Sequence, residues 1–410
     1  MQLHCRFCDT PWFHTFVDLG DSPCANAYVR LEDIWKVEPF YSLHAFVCEK
    51  CFLVQLPAIQ AAESIFSDYA YFSSFSATLL KHARQYAERM IDRFGFNSGH
   101  QVIEIASNDG YLLQYFRQHG VPVLGIEPAA NIAEVATAAG IPSLVKFFGM
   151  QTARELSVVG MRADLLIGNN VLAHVPDLND FIRGMKAILK ETGIITMEFP
   201  HLMALVEKYY FDTIYHEHFS YFSFCTVEKI FASHGLVLFD VEEIAPQGGS
   251  LRIYARHDKD TSRPVEPRVN ALRDREIAAG MTSLHYYSGF NDKVNRSKRE
   301  LLTFLIAAKE ENKRIVGYGA PAKGNTLLNF CGVRTDFIDY TVDVSPHKQG
   351  RLLPGTRIPI HAPDRIMESK PDYLLILPWN IKDEIMRTMS GIREWGGKFV
   401  IPLPHVMVLP

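Results

Sequence analysis

The sequence predicts an α/β protein in three parts: a Rossmann-like unit in the middle, a small cysteine-bearing domain before it, and a second Rossmann-like unit after it. Three observations point there. Four of the seven cysteines fall in two close pairs, Cys5 with Cys8 and Cys48 with Cys51. Short apolar runs then alternate with helix-length segments up to about residue 257, the pattern of a parallel sheet covered by helices. The same alternation returns after residue 313. At 410 residues the chain exceeds what one ordinary core needs, so two or three domains are expected.

Composition narrows the class. With 48% hydrophobic and 21% charged residues the chain sits in the globular range. A net charge of -4 leaves no basic footprint for nucleic acid or an anionic membrane surface, so neither is an expected partner. No basic stretch followed by an apolar one opens the sequence, and no run approaches the roughly 18 apolar residues of a membrane span. A cytoplasmic protein is expected. In a reducing compartment, close cysteine pairs suggest metal rather than disulfides.

The first part, to about residue 66, carries strand-like runs at Tyr41–Val47 and 52–56 and turn residues at Gly20, Asp21 and Pro23. Cys5-Arg6-Phe7-Cys8 and Cys48-Glu49-Lys50-Cys51 each set two residues between thiolates, which lets both sulfurs reach one tetrahedral ion. Zinc suits four thiolates, and with no position open to water its expected role is structural. The competing reading is two free or redox-active pairs. His4 and His14 read as surface histidines.

In the middle part a helix is expected over Ala77–Phe94. Strands follow at 101–105, 122–126, 165–167, 193–199, 237–244 and 252–254, with helices at 110–119 and Ala130–Ala138. The turn Glu104-Ile105-Ala106-Ser107-Asn108-Asp109-Gly110 leaves a strand through small residues, bringing backbone close to a ligand at the strand's carboxyl end. About twenty residues on, Gly125-Ile126-Glu127-Pro128 ends the next strand on an acid placed to accept both hydroxyls of a ribose. Together they indicate a nucleoside-bearing cofactor. The Gly-x-Gly-x-x-Gly of a dinucleotide site is missing. The turn instead resembles the first motif of class I S-adenosylmethionine (SAM)-dependent methyltransferases, with Ala106 and Asn108 where that motif often has glycine. Gly168-Asn169-Asn170-Val171-Leu172-Ala173-His174-Val175 is similar to the fourth motif of that class. The expected cofactor residues are Glu104, Ser107, Asn108, Asp109, Gly110, Glu127, Pro128 and Asn169.

Tyr215-His216-Glu217-His218-Phe219-Ser220-Tyr221 is the densest cluster of proton-transfer groups. In an extended segment its members would alternate between two sides, whereas a turn lets them converge. A neutral imidazole can remove a proton at neutral pH, and a nearby carboxylate can orient it. A metal site lacks the His-Glu-x-x-His spacing; a packing segment with incidental histidines is the other alternative.

The cysteine pairs, Asp68-Tyr69-Ala70-Tyr71-Phe72-Ser73-Ser74, the 104–110 turn, the 169–174 segment, Glu198-Phe199-Pro200-His201, the 215–218 cluster and Gln247-Gly248-Gly249-Ser250 occur in an order similar to that of the sugar C-methyltransferases. The likeness covers nearly the whole chain. It implies a zinc-binding domain over 1–66, a class I methyltransferase domain over 67–257 and a Rossmann-like, sugar-nucleotide-binding domain over 258–410. It also implies a nucleotide-linked 4-keto-6-deoxysugar as substrate, on dTDP before GDP. His218 becomes the base, with Glu217 and Tyr215 beside it and His174 and Tyr69 facing the sugar. A C–H bond next to a ketone is acidified because the charge moves onto oxygen, so a base at C3 and a donor near the C4 oxygen are the groups required.

In the last part a polar helical stretch at 267–312 leads to strands at 314–317, 340–344 and 373–377 and a helix at 325–330. The turn Gly317-Tyr318-Gly319-Ala320-Pro321-Ala322-Lys323 offers open backbone and a cation for a diphosphate, with Lys348 adding charge. Pro321 removes an N–H and so argues against a dinucleotide. A purely structural unit is the competing reading. Asn170, Glu198, Lys323, Asn325 and Lys348 are the expected substrate-binding residues. Two other functions fit parts of the pattern: methyl transfer to oxygen or nitrogen of a small metabolite, and a non-catalytic zinc-containing scaffold.

Overall fold

The computed structural model describes residues 3–59 and 72–410. Three main sheets organise them. The largest has seven strands in the order Leu236–Ile244, Ser250–His257, Leu189–Pro200, Ala163–Asn169, Val102–Ile105, Val123–Ile126, Ser143–Leu144. The last five are mutually parallel, as the βα alternation predicts. The first two differ from that expectation. They form an antiparallel hairpin, whose Ser250–His257 strand inserts against Leu189–Pro200. A short turn at 245–249 permits only an antiparallel return, because a parallel crossover needs a dozen residues or more.

The chain order reverses at Val102–Ile105, whose neighbours lead outward in opposite directions. That switch point opens a crevice at the carboxyl ends of the strands. The helix Ala77–Phe94 covers this sheet. Ser76 caps it by accepting the Leu79 N–H, and Gly95 ends it in the left-handed region. Its buried residues Ala83, Tyr86, Ala87 and Met90 follow helical spacing, while the opposite face stays polar.

The N-terminal sheet runs His14–Ser22, Tyr41–Val47, Val54–Gln55 and then Ser220–Tyr221. Its fourth strand thus comes from the histidine cluster, 165 or more residues away along the chain. Its core continues into the C-terminal part, where Phe16 stacks on Phe290 of the helix Phe290–Glu310 at 4.5 Å. The C-terminal sheet has the order Ile360–His361, Thr341–Val342, Ile315–Tyr318, Tyr373–Ile376, Lys398–Ile401, Met407–Leu409, parallel except for the last strand. A two-stranded ribbon, Val29–Arg30 with Arg351–Leu352, ties the N-terminal part to it. Among the described residues no helix is long and apolar enough to cross a membrane.

Candidate active site and zinc centre

The four sulfurs of Cys5, Cys8, Cys48 and Cys51 lie within 4.8 Å of one another. The two knuckles share one local geometry. Asp9 N–H donates to the Cys5 carbonyl and Phe52 N–H to the Cys48 carbonyl, both at 2.9 Å. Asp9 and Phe52 then take positive φ, 60° and 63°. This repeated turn aims two pairs of sulfurs at one point, and four thiolates at that spacing fit a tetrahedral zinc. His4 and His14 stand apart on the surface, beside Asp9 and Glu49.

Between the three sheets lies a cavity of about 1320 Å³. One end is walled by the crevice of the central sheet. Ala106 and Asn108 adopt φ of 55° and 50°, the left-handed conformation that usually calls for glycine. An alanine held there costs roughly 1 kcal/mol, which the surrounding contacts must offset. Asn108 is secured on both sides: its N–H donates to Glu127 at 3.0 Å, and its side-chain oxygen accepts from Ser73 N–H at 2.9 Å. The second Glu127 oxygen accepts from Ala129 N–H at 3.0 Å.

Asn108, Glu127, Pro128 and Asn169 line the cavity. Glu104, Ser107, Asp109 and Gly110 do not, in contrast to the expectation that the whole turn faces the ligand. Asp109 instead accepts from Ser74 N–H at 3.0 Å. Ser107 is fully buried against Gly125, where any Cβ would stand 2.3 Å from its hydroxyl. Gly110 gives way to Ile141, 2.9 Å from where a Cβ would be. Glu104 lies buried beneath the loop. Burial, with Glu127, Asp109 and Glu198 nearby, raises its carboxyl well above the ordinary range. One Glu104 oxygen and the Asn169 side-chain oxygen are buried acceptors with no hydrogen-bond partner among the described residues. The unpaired Asn169 oxygen at the cavity wall, amid an excess of acids, suits a ligand that is cationic and carries hydroxyl and ammonium donors, as SAM does.

Residues 215–218 of the histidine cluster form a turn that leads into the Ser220–Tyr221 strand: His218 N–H donates to the Tyr215 carbonyl at 2.8 Å. Tyr215, Glu217 and His218 reach the cavity together with His174. His216 points away to the Ser42 carbonyl, 3.2 Å from Nε2. His218 Nδ1 lies 2.9 Å from the Thr213 carbonyl and must donate to it. Nε2 is therefore the basic nitrogen, and its lone pair accepts from the Tyr215 hydroxyl at 2.8 Å. Burial, with His174 and Lys323 nearby, holds His218 well below the usual histidine value. His174 packs edge-on against it at 4.7 Å, and burial lowers it to about 4. Its Nδ1 donates to the Glu217 carbonyl at 2.7 Å.

Glu217 was expected to orient the histidine, and here the structure differs. Its carboxylate accepts from Asn26 Nδ2 at 2.6 Å, and burial pushes it up to about 7. The Thr213 carbonyl is the orienting group. Tyr69 lies outside the described residues.

Three family models match in tandem: a zinc binding domain over residues 5–66, a methyltransferase domain over 79–241 and a C-methyltransferase C-terminal domain over 245–404. The C-methyltransferase NovU of Streptomyces niveus is 33% identical across 99% of this chain and 96% of its own. This chain belongs to the C-methyltransferase family. A ubiquinone biosynthesis O-methyltransferase of Bartonella bacilliformis is 25% identical over 57% of the chain and 84% of its own. The SAM-bound magnesium protoporphyrin IX methyltransferase of Synechocystis aligns with 49% of the chain and 99% of its own, at 13% identity and a TM-score of 0.35. The chain is thus a SAM-dependent C-methyltransferase with a zinc centre in its N-terminal domain.

The remaining expected residues of this C-methyltransferase divide. Asn170, Lys323 and Lys348 line the cavity; Glu198 and Asn325 do not. Glu198 is buried, with Arg252 Nε donating to one oxygen at 2.7 Å and His82 Nε2 at 2.9 Å from the other. Buried and paired with Arg252 and His82, this carboxylate serves the sheet and the helix over it rather than the cavity. Asn325 donates to the Ala25 carbonyl at 2.6 Å and serves the junction between domains. Lys323 is buried, 2.7 Å from Asn380 Oδ1 and 4.4 Å above the Trp379 ring, and burial lowers it to about 8.

His82, Asn26 and Thr213 are residues that sequence reasoning missed. For His82 a signal existed: Thr78, Lys81, His82 and Gln85 form a polar stripe at helical spacing, and all four line the cavity. Asn26 and Thr213 carry no such signal, because their roles arise from contacts distant in sequence.

Proposed function

We propose that this C-methyltransferase methylates C3 of a nucleotide-linked 4-keto-6-deoxysugar, on dTDP rather than GDP, with His218 as base and an enolate as intermediate. The observation that carries this reading is the fixed tautomer of His218. Its Nδ1–H is held by the Thr213 carbonyl, so the basic lone pair sits on Nε2, where the cavity-lining Tyr215 hydroxyl donates to it. With its proton affinity depressed by burial, the imidazole is neutral at neutral pH and ready to accept a proton.

SAM, when bound, supplies an electrophilic methyl group. Asn108, Glu127, Pro128 and Asn169 would hold it at the crevice, with Glu104, Ser107, Asp109 and Gly110 framing the loop. His218 Nε2 takes the C3 proton of the sugar. The Tyr215 hydroxyl, which otherwise donates to Nε2 at 2.8 Å, turns its proton to the C4 oxygen and thereby frees the base. The imidazolium formed is buried and poorly solvated, so the enolate charge beside it is its main stabiliser. His174 keeps its ring fixed through the Glu217 carbonyl and walls the same space, with Tyr69 as a further sugar-facing candidate. Asn170, Lys323 and Lys348 face the substrate from two other sides.

The reading is tested by incubating the enzyme with SAM and separately generated dTDP- and GDP-linked 4-keto-6-deoxysugars. NMR of the dTDP product is expected to show a new methyl on C3. A methyl on oxygen, or no transfer to either sugar, contradicts the proposal.

A further inference from the structure

The ribbon joining the N-terminal and C-terminal parts sets Arg30 directly opposite Arg351. Residues opposed across an antiparallel pair project to the same side, and like charges there repel. Both arginines line the cavity. A fold that sets two arginines opposite each other on a two-stranded ribbon calls for a counter-charge, and the described residues supply little of it. Arg30 reaches Glu32 at 3.5 Å, with both side chains well exposed. Arg351 has no ion pair among the described residues. Glu38, the carboxylate of the same wall, is taken by Arg357 at 3.0 Å and by the Gly355 N–H at 2.7 Å. Asp343 accepts from the N–H groups of Ala320 and Ser345 and stands 3.7 Å from Lys348.

We infer that Arg30 and Arg351 form a diphosphate clamp, in which one nucleoside diphosphate bridges the ribbon and locks the N-terminal to the C-terminal domain. This rests on the sugar-nucleotide reading above and extends it to two residues that no motif marks. Planar guanidinium groups suit the task, since each can offer paired N–H donors to phosphate oxygens. Lys323 lines the same cavity but is buried, 2.7 Å from Asn380 Oδ1, so the arginines take the diphosphate and Lys323 is left to the sugar end. Binding would also offset the repulsion between the two arginines, coupling substrate affinity to the stability of the junction.

The test is calorimetry with dTDP and with inorganic pyrophosphate as probes, on the wild-type chain, Arg30→Gln and Arg351→Gln. Each variant is expected to bind both probes roughly tenfold or more weakly, while SAM affinity stays at the wild-type value. Without ligand, the variants should unfold at a temperature no lower than wild type, because a like-charge pair has been removed, yet lose most of the stabilisation that dTDP gives. Wild-type affinity for both probes in both variants overturns the clamp. Pyrophosphate binding that depends on the arginines, with no binding of dTDP, upholds the two arginines as the diphosphate site and overturns the dTDP-sugar reading. Binding of neither probe by the wild-type chain overturns both.

Discussion

Replacing Asn26 by Ala removes the donor that faces Glu217 from the N-terminal domain, and the consequence depends on pH in a defined way. Burial raises the Glu217 carboxyl from 4.5 to about 7, and the Asn26 donors hold it from rising further. A carboxyl whose folded pKa is raised binds its proton more tightly when folded, so its stabilisation is full below the unfolded value. That stabilisation is lost as pH climbs from 4.5 to about 7, and at about 1.4 kcal/mol per pH unit the loss is on the order of 3 kcal/mol. Above that window the wild-type contribution is flat. A hydrogen bond to a charged group is worth about 1.5–3 kcal/mol, so Asn26→Ala should move the folded pKa up by about one to two pH units. The variant therefore goes on losing stability up to about pH 8–9. Urea unfolding followed by tryptophan fluorescence should show the variant's deficit growing by about 2 kcal/mol between about pH 6 and about pH 9. An equal deficit at the two pH values would refute the assignment of Asn26 as the partner of an ionising Glu217.

Other consequences follow from separate parts of the structure. Glu127→Ala should weaken SAM binding by about 10- to 100-fold by calorimetry, since it removes both the cavity-facing acid and the acceptor that fixes the Asn108 N–H; an unchanged affinity would place the cofactor elsewhere. Elemental analysis should find one zinc per chain. Cys48→Ser should lower both zinc content and the unfolding temperature, because the ion would hold the sheet that Ser220–Tyr221 completes next to His218. Full stability in a zinc-free variant would rule that role out. Gly248→Ala should destabilise by about 1–3 kcal/mol, as a Cβ there stands 2.7 Å from the Tyr210 and Trp379 rings and φ is 85°. Wild-type thermal stability in that variant would show that the two stacked rings move aside.

How much of this was legible in the sequence depended on the range of the interaction that decided each feature. The helix Ala77–Phe94 and the strand Tyr41–Val47 can be read residue for residue, because caps and local periodicity set their ends. The four cysteines can be read because two residues between thiolates are enough to form a knuckle. The hairpin at 236–257 was legible as two strands but not as an antiparallel insertion, since pairing partners lie outside any local pattern. Side-chain direction was the least legible. Glu198 lies near the end of a strand where substrate was expected, yet Arg252 and His82 occupy it. Glu217 adjoins the histidine in sequence, yet its carboxylate answers to Asn26, 191 residues away. The left-handed backbone at Ala106 and Asn108 kept the form of a glycine turn without its glycines, so the motif was fainter in letters than it is in space.

The central claim is that His218 Nε2 removes the proton from C3 of the sugar. The most direct measurement is NMR of solvent-deuterium exchange at C3 of dTDP-4-keto-6-deoxysugar, run on wild type and His218→Asn with SAM affinity measured alongside. The account predicts exchange by wild type, none above background by His218→Asn, and unchanged SAM binding in the variant. Exchange at the wild-type rate in His218→Asn would contradict it.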